Sequence, residues 1–539
     1  MKEQNVDVAI VGGGPVGLMA ANLLGSYGTR VLVLERELSP HTYPRAVALY
    51  DDALRTFQAV GLAEKQCSQM LFGVGMEIVS GSGQLLLGVN PAVATMPLGH
   101  PSGGAMLQPL LEDNLRQGLS RFEQVELRQG HRVDGVEQDS EGVRLRVSGN
   151  SGESYTVRAR YVLGCDGGKS SLREACGIEL AGSTVEQPWL VIDTRRSTQA
   201  TPKARIVADA VRPMVYIPLP DRYERWEVRL LRGETPEHFS TEQRVRELLS
   251  PWMGAEPYEL VRHRVYVHHY RLAERFRDRR VFLLGDAAHL VPPFGAQGLS
   301  SGIRDAMNLA WKIALVVKGT LRSDVLDSYE VERRAQMRET MLGVRMMSLV
   351  VSANRLSAPL RDGFFGLLGA IPSVRKNLHE VDGRFPTRFR DGLFLRGGAA
   401  GDMMIQPRVR TQKGGEVLLD EVLGTGFAVV GMNREPVELM SESSRRFWKE
   451  LGARFVRVVP GTDASREHHG AKGASLVAAD ASGALTKWFA AGDGDMVIVR
   501  PDRYVAAFFR ASRADDVTAE LQRMLSAGPT GSSPSVARA

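Results

Sequence analysis

The chain has 539 residues, 43% hydrophobic and 24% charged, the proportions of a globular protein with more than one core. Sixty-eight basic residues stand against 62 acidic ones, and the net charge of +6 is spread along the chain, without the basic-aromatic clusters that nucleic-acid binding requires. No apolar run reaches membrane-spanning length, no secretory leader is read at the start, and Cys67, Cys165 and Cys176 are too scattered for a disulfide framework or a zinc site; a cytoplasmic protein without a metal or a membrane partner is expected.

Val6–Val11 is an apolar run suited to a buried parallel strand, and it leads directly into Gly12-Gly13-Gly14-Pro15-Val16-Gly17. Gly12 allows the tight turn, Gly14 lets a pyrophosphate approach the backbone, and Gly17 lets helix and strand pack closely. Pro15 and Val16 open the helix, whose free N–H groups and positive dipole end face the phosphates. Thr29–Glu35 reads as a second strand. Glu35 lies 18 residues after Gly17, where a carboxylate can accept hydrogen bonds from a ribose, and Arg36 stands beside it. Glycines alone are weak evidence, but with both strands, the helix and the acid in place the unit predicts a bound dinucleotide.

Prolines make residues 39–46 a loop that brings Arg45 near the cofactor. Residues 51–62 read as a helix, 70–100 as strands, and Gln108 opens another helix. Strands follow over 125–147 and 155–163, the last a buried parallel one. It ends in Cys165-Asp166-Gly167-Gly168, ahead of serines able to cap a short helix. Asp166 on this glycine turn can accept hydrogen bonds from a nucleotide, with Arg173 balancing its charge. Residues 186–270 alternate Val, Ile, Tyr and Trp with polar residues and predict a sheet-rich insertion, the floor of a substrate pocket.

Residues 280–306 form the strongest block. A buried strand delivers Gly285-Asp286 to its carboxyl end, where ligands of open α/β sheets bind. Pro292-Pro293-Phe294-Gly295-Ala296-Gln297-Gly298-Leu299-Ser300 keeps its backbone exposed, and a helix is expected from Gly302 to Val317. Asp286 suits the ribityl chain of a flavin, and N–H groups at the helix start suit negative charge on a reduced ring.

Gly12-x-Gly14-x-x-Gly17, Cys165-Asp166-Gly167 and Gly285-Asp286-Ala287-Ala288-His289, in this order, resemble the single-component flavoprotein aromatic hydroxylases, whose fold is that of para-hydroxybenzoate hydroxylase. Tyr43-Pro44-Arg45-Ala46, Gln108-Pro109, residues 264–268, 301–312 and 500–506 are similar to the 3-(3-hydroxyphenyl)propionate hydroxylases. One departure is the loop Pro293–Gly298, which is nearer the general pattern of aromatic and polyketide hydroxylases. The resemblance implies an α/β fold: a Rossmann-like FAD-binding domain (1–185 and 271–395), a substrate-binding sheet (70–105 and 186–270), a thioredoxin-like domain (396–526) and a disordered tail (527–539). It implies FAD as cofactor, NADH or NADPH and O2 as co-substrates, a homodimer, and ortho-hydroxylation of a small phenol through a flavin C4a-hydroperoxide. The FAD set would then be Gly12, Gly14, Pro15, Val16, Gly17, Glu35, Arg36, Arg45, Gln108, Asp166, Gly167, Gly285, Asp286, Pro293, Gly295, Gln297, Gly298, Leu299 and Ser300.

Hydroxylation needs a nucleophilic ring, a dry site and a base near neutral pH. His268 or His289 are candidates for the base, and Tyr216 and Tyr266 for hydrogen bonds to the phenol. Arg212 or Arg229 would pair with a substrate carboxylate, beside Pro292 and Phe294 of the loop. The tail unit carries no Cys-x-x-Cys, so dimerisation or scaffolding is its expected use. A larger polycyclic or polyketide phenol, or another FAD-dependent oxidation, is the alternative reading.

Overall fold

The computed structural model describes residues 3–89, 96–185, 187–199, 203–254, 256–374, 387–412, 414–461 and 475–527. The expected tail, from 528 onward, lies outside them. The first elements that build the site are strand β1 (Glu3–Val11), helix α1 (Pro15–Ser26), β2 (Val31–Glu35), β3 (Gly75–Ser80), β4 (Leu85–Val89), β5 (Val125–Gln129) and β6 (Ser154–Gly164). They are followed by β7 (Trp189–Arg196), β8 (Lys203–Ala208), β9 (Met214–Pro218), β10 (Tyr223–Arg229), α2 (Glu242–Met253) and β11 (Tyr258–Tyr266). The last are β12 (Val281–Leu283), α3 (Gln297–Val317), α4 (Asp327–Val351) and α5 (Ala358–Gly369).

A parallel sheet in the order β12-β6-β1-β2-β5 forms the nucleotide half. The strand order reverses between β1 and β6, which opens a crevice at their carboxyl ends. Alternation along β1 divides two cores: Val8 and Ile10 pack with α1 and α3, while Ala9 and Val11 pack with Val143, Leu145 and Val157.

A second sheet, β11-β7-β10-β9-β8-β3-β4, is antiparallel except where β8 meets β3. One face carries Leu190, Ile192, Met214, Trp226 and Val228 against α2. The other carries Ile78, Trp189, Ile206 and Val215 against Phe294 and the α4 residues Val344 and Val351. Period-two alternation therefore puts Arg225, Glu227 and Arg229 of β10 on the second face, with Trp189.

The C-terminal unit is a mixed sheet whose central strands, Ala428–Met432, Arg454–Pro460 and Leu476–Asp480, run parallel, flanked by antiparallel ones. Buried charges join it to the nucleotide half. Glu332 of α4 takes Arg500 at 2.6 Å and Lys312 at 2.7 Å, and Arg55 pairs with Asp420 at 2.7 Å. Helix α5 falls within the 271–395 segment, and its apolar residues Leu360, Phe364 and Leu367 point outward, so no amphipathic pattern marks it in the sequence. One expectation needs correction. Helix α3 begins at Gln297 and not at Gly302, because Ala296 turns into the left-handed region (φ 48°) and starts the helix there.

Candidate active site

Three glycine turns meet at the head of the parallel sheet. Gly12 has φ +107°, and a Cβ there would lie 2.2 Å from the Cys165 carbonyl oxygen; one on Gly17 would lie 2.0 Å from the Gly12 carbonyl oxygen. These two positions admit only glycine. Val16 fills the notch left by Gly285 and Gly302, where added Cβ atoms would come within 3.0 and 2.5 Å of its side chain. Gly14, by contrast, faces open space. Helix α1 starts there with no side chain capping its first turn, so its N–H groups point into the crevice.

The acids around this crevice differ in how far the protein uses them. Glu35 accepts from the Gly13 amide at 2.6 Å and the Glu37 amide at 2.8 Å, which binds the glycine turn to β2. Asp166 accepts from the Leu172 amide at 3.1 Å and the Ser171 hydroxyl at 3.2 Å through Oδ2, while its buried Oδ1 has no partner among the described residues. Arg173 does not pair with Asp166, as the sequence reading had it; its guanidinium donates to the Gly168 and Ala287 carbonyls. Asp286 is walled in by protein yet open to the crevice, and this crowding raises its carboxyl pKa against the pull of His289 and Arg45. An orphaned carboxylate oxygen, an open acid, a bare helix start and two glycine cradles fit a dinucleotide with its ribityl chain.

Helix α3 offers a second uncapped N-terminus, and Gly298 in its first turn faces open space. Its start is fixed from below. Arg304 pairs with Asp52 and donates to Gln297 Oε1 at 3.3 Å; Gln297 in turn donates to the Gly295 carbonyl at 3.0 Å, which also accepts from Tyr50 at 2.7 Å. His289 Nε2 meets Asp305 Oδ2 at 2.7 Å, and Arg333 meets the other oxygen at 2.7 Å. Burial raises the Asp305 pKa, but His289 and Arg333 outweigh it and hold the carboxyl low.

From this loop Phe294 reaches the second sheet. His268 stacks on Trp189 at 5.6 Å and 23°, and Phe294 stands edge-on to both, 5.5 Å from Trp189 and 5.7 Å from His268. Burial, helped by His269, pushes the His268 pKa down to about 4, so the ring is neutral near pH 7. Farther along this face Arg225 pairs with Asp193 at 2.8 Å and donates to the carbonyls of Pro44 and Arg45, both at 2.6 Å. The second sheet thereby holds the loop that carries Arg45.

Residues 5–342 match the family model described as FAD binding domain, and residues 401–524 match the HcaD C-terminal domain. A 3-(3-hydroxy-phenyl)propionate/3-hydroxycinnamic acid hydroxylase of Burkholderia cenocepacia is 38% identical over 97% of this chain and 98% of the relative. Its counterpart from Escherichia coli O139:H28 is 37% identical over 93% of this chain and 92% of the relative. The chain belongs to the FAD-dependent aromatic hydroxylases. Among solved structures, the flavin-dependent monooxygenase PieE with FAD and substrate superposes with a TM-score of 0.80 at 21% identity, covering 97% of this chain and 99% of that one. Anhydrotetracycline hydroxylase OxyS of Streptomyces rimosus gives 0.75 at 25% identity, over 98% and 100% of the two chains.

Within the hydroxylase the expected residues separate into groups. The three glycine motifs and Asp286 line one crevice, and Phe294, His268 and Trp189 form the wall beside it. Arg45 is exposed and bonded to His41 at 2.6 Å, Arg36 is exposed, and the Gln108 amide is tied to the Ala46 amide and Glu112, each at 2.7 Å. Pro292 is buried and Pro293 exposed at the loop's bend. Tyr266 pairs in register with Trp189 and shares its face.

Three placements correct the sequence reading. Tyr216 lies on the opposite face, 4.5 Å from the Trp226 ring, with its hydroxyl on Glu224 at 2.9 Å; the sheet's period of two turns it away. Arg212 is already paired with Glu234 at 2.6 Å, whereas Arg229 shares the Trp189 face and spends one nitrogen on the Val211 carbonyl. His289 is fully buried on Asp305, where it anchors α3 and cannot meet a substrate. Reasoning from sequence missed Trp189 and Glu227 on the pocket face; period-two counting along β7 and β10 would have found them.

Proposed function

We propose that this hydroxylase uses NADH or NADPH and O2 to place one oxygen ortho to the hydroxyl of 3-(3-hydroxyphenyl)propionate or a related small phenol, as a cytoplasmic enzyme of aromatic catabolism. The balance is phenol, NAD(P)H, H+ and O2 in, and catechol, NAD(P)+ and water out. The observation that carries this reading is near full-length similarity to relatives named for that substrate. Bound FAD supplies the electron transfer and oxygen activation.

The chain's own residues supply position and dryness. The first turn of α1 with Gly12, Gly14, Pro15, Val16 and Gly17 takes the pyrophosphate, Glu35 and Arg36 flank the adenosine, and Arg45, Gln108, Asp166 and Gly167 close the middle. Gly285 and Asp286 take the ribityl chain. Pro293, Gly295, Gln297, Gly298, Leu299 and Ser300 bring backbone N–H groups and the α3 dipole to the flavin ring. Phe294, Trp189 and His268 exclude water beside it, with Pro292 and Tyr266 at its margin, and Arg229 pairs with the substrate's carboxylate.

The 401–524 unit, with no cysteine of its own, is a thioredoxin-like scaffold in this reading. A homodimer is supported by exposed apolar residues on neighbouring helices: Leu342, Met346 and Leu349 of α4, and Leu360, Phe364 and Leu367 of α5. Sedimentation at two concentrations checks it.

The test of function is NADH and NADPH oxidation by the holoprotein against a phenol panel, with peroxide and hydroxylated product assayed together. Catechol formed from 3-(3-hydroxyphenyl)propionate in near 1:1 ratio to reductant is expected. Oxidation yielding only peroxide rejects that substrate and favours a larger polycyclic or polyketide phenol. No stimulation by any phenol overturns the proposal.

A further inference from the structure

Resting on the reading above, we infer that Glu227 is the group that receives the phenolic hydroxyl, and that it takes the proton as the ring is hydroxylated. The residue stands at mid-strand on β10, between Val191 of β7 and Val215 of β9 in register. Its face is the one shared with Trp189, Arg229 and Phe294. Only 6% of Glu227 is exposed, yet its carboxylate has no hydrogen bond or ion pair among the described residues. A carboxylate with apolar neighbours on either side is costly to bury; the Glu227 oxygens are not among the sealed-off polar atoms left without a partner, so they stay open on the pocket side, where a ligand can donate to them. The other buried acids of this sheet are used: Asp193 holds Arg225 and Arg262, and Glu224 holds Arg196 and the Tyr216 hydroxyl.

Arg229 follows Glu227 by two residues on the same face, about 7 Å along the strand. A ring with a hydroxyl at one end and an acid side chain at the other matches this order of acceptor and cation.

As the ring's electrons move toward the incoming oxygen, the phenolic O–H bond weakens. Its proton passes to a Glu227 oxygen, the O–H bond's electron pair stays with the substrate oxygen, and the new carboxyl O–H returns the proton once the product rearomatises. No further oxidant or reductant is involved. Burial raises the Glu227 pKa, Arg225 opposes this and Asp193 adds to it, making a stronger base than an exposed glutamate. Charged and titratable groups facing it are Arg225 and Arg229 on its own strand, Asp193 on β7, Arg262, Arg264 and Tyr266 on β11, and His268, which is neutral.

The experiment compares wild-type, Glu227→Gln and Glu227→Asp holoenzymes, each first checked for bound FAD by its visible spectrum. Binding of 3-(3-hydroxyphenyl)propionate and of 3-phenylpropionate, which lacks the hydroxyl, is titrated by the change in flavin absorbance. Product per NAD(P)H is measured in parallel. Wild type is expected to prefer the phenol by tenfold or more, Glu227→Gln to lose that preference and most product while KM for the acid chain moves little, and Glu227→Asp to recover part of both. A wild type without preference, or Glu227→Gln retaining preference and product yield, overturns the assignment. If wild type binds the phenol selectively but makes no product from it, the reaction proposed above falls while the role of Glu227 in recognition stands.

Discussion

Under the proposed function, the two sheets recognise their ligands by different physics. At the parallel sheet the ligand meets backbone: glycines that admit no Cβ, two uncapped helix starts, and acids at strand ends. At the antiparallel sheet it meets side chains, chosen by which of two faces each residue falls on. Backbone recognition needs particular residues at fixed spacing. Side-chain recognition needs only a pattern that many sequences satisfy, so the two regions should tolerate substitution very differently.

The largest effect is expected at Gly17. Gly17→Ala places a Cβ 2.0 Å from the Gly12 carbonyl oxygen, and neither backbone can yield without opening the β1–α1 turn. The cost should exceed about 3 kcal/mol, read as loss of bound flavin and a large drop in Tm. An alanine variant that purifies yellow with unchanged Tm would remove the backbone half of the comparison.

Asp286→Asn comes next. Removing a charged acceptor open to the crevice should weaken FAD binding roughly tenfold to a hundredfold, measured by flavin titration of the apoprotein, with the fold intact by circular dichroism.

The sheet-and-loop wall should respond through the reaction and less through cofactor binding. Phe294→Ala keeps FAD but opens the Trp189–His268 wall, so NAD(P)H oxidation should yield mainly peroxide. Equal loss of flavin in this variant would show that the two regions are not separable.

His268 gives a pH test. Its folded pKa, about 4, lies below the unfolded value near 6.5, so the unfolded chain binds more protons between these values and stability rises with pH across that window. His100, also pushed down to about 4 by burial, acts in the same direction. His268→Phe should remove up to about 3 kcal/mol of the pH dependence of stability between pH 4 and 6.5, read as a flatter Tm profile, and leave the profile unchanged above pH 7.

The smallest effect is expected at Tyr216. Tyr216→Phe loses one hydrogen bond to Glu224 on the α2 side, worth about 1 kcal/mol, and should leave kcat and KM within about twofold.

The same contrast explains what the sequence made legible. Gly12, Gly17, Asp166 and Gly285-Asp286 announced themselves because steric and electrostatic demands on backbone leave few choices, and the parallel strands showed as apolar runs, whereas their order came only from the pairing in the fold. The start of α3 was placed five residues late, since the Pro-Gly composition of 292–298 conceals a helix opened by a left-handed alanine. Tyr216 and Arg212 were favoured for their chemistry. Only strand register reveals that one faces α2 and the other already has Glu234. Glu227, in an ordinary Trp-Glu-Val-Arg stretch, becomes conspicuous only when every other buried acid of the sheet is seen to have a partner. His289 was read beside a flavin motif; its role as an anchor depends on Asp305, sixteen residues away on α3.

The most direct test of the account is a crystal structure of the holoenzyme with FAD and 3-(3-hydroxyphenyl)propionate. The account predicts the flavin ring at the N-terminus of α3 and the phenol between it and the Trp189 face, hydroxyl toward Glu227 and carboxylate toward Arg229. A phenol bound away from that face, or a flavin ring lying elsewhere than at the α3 start, would contradict it.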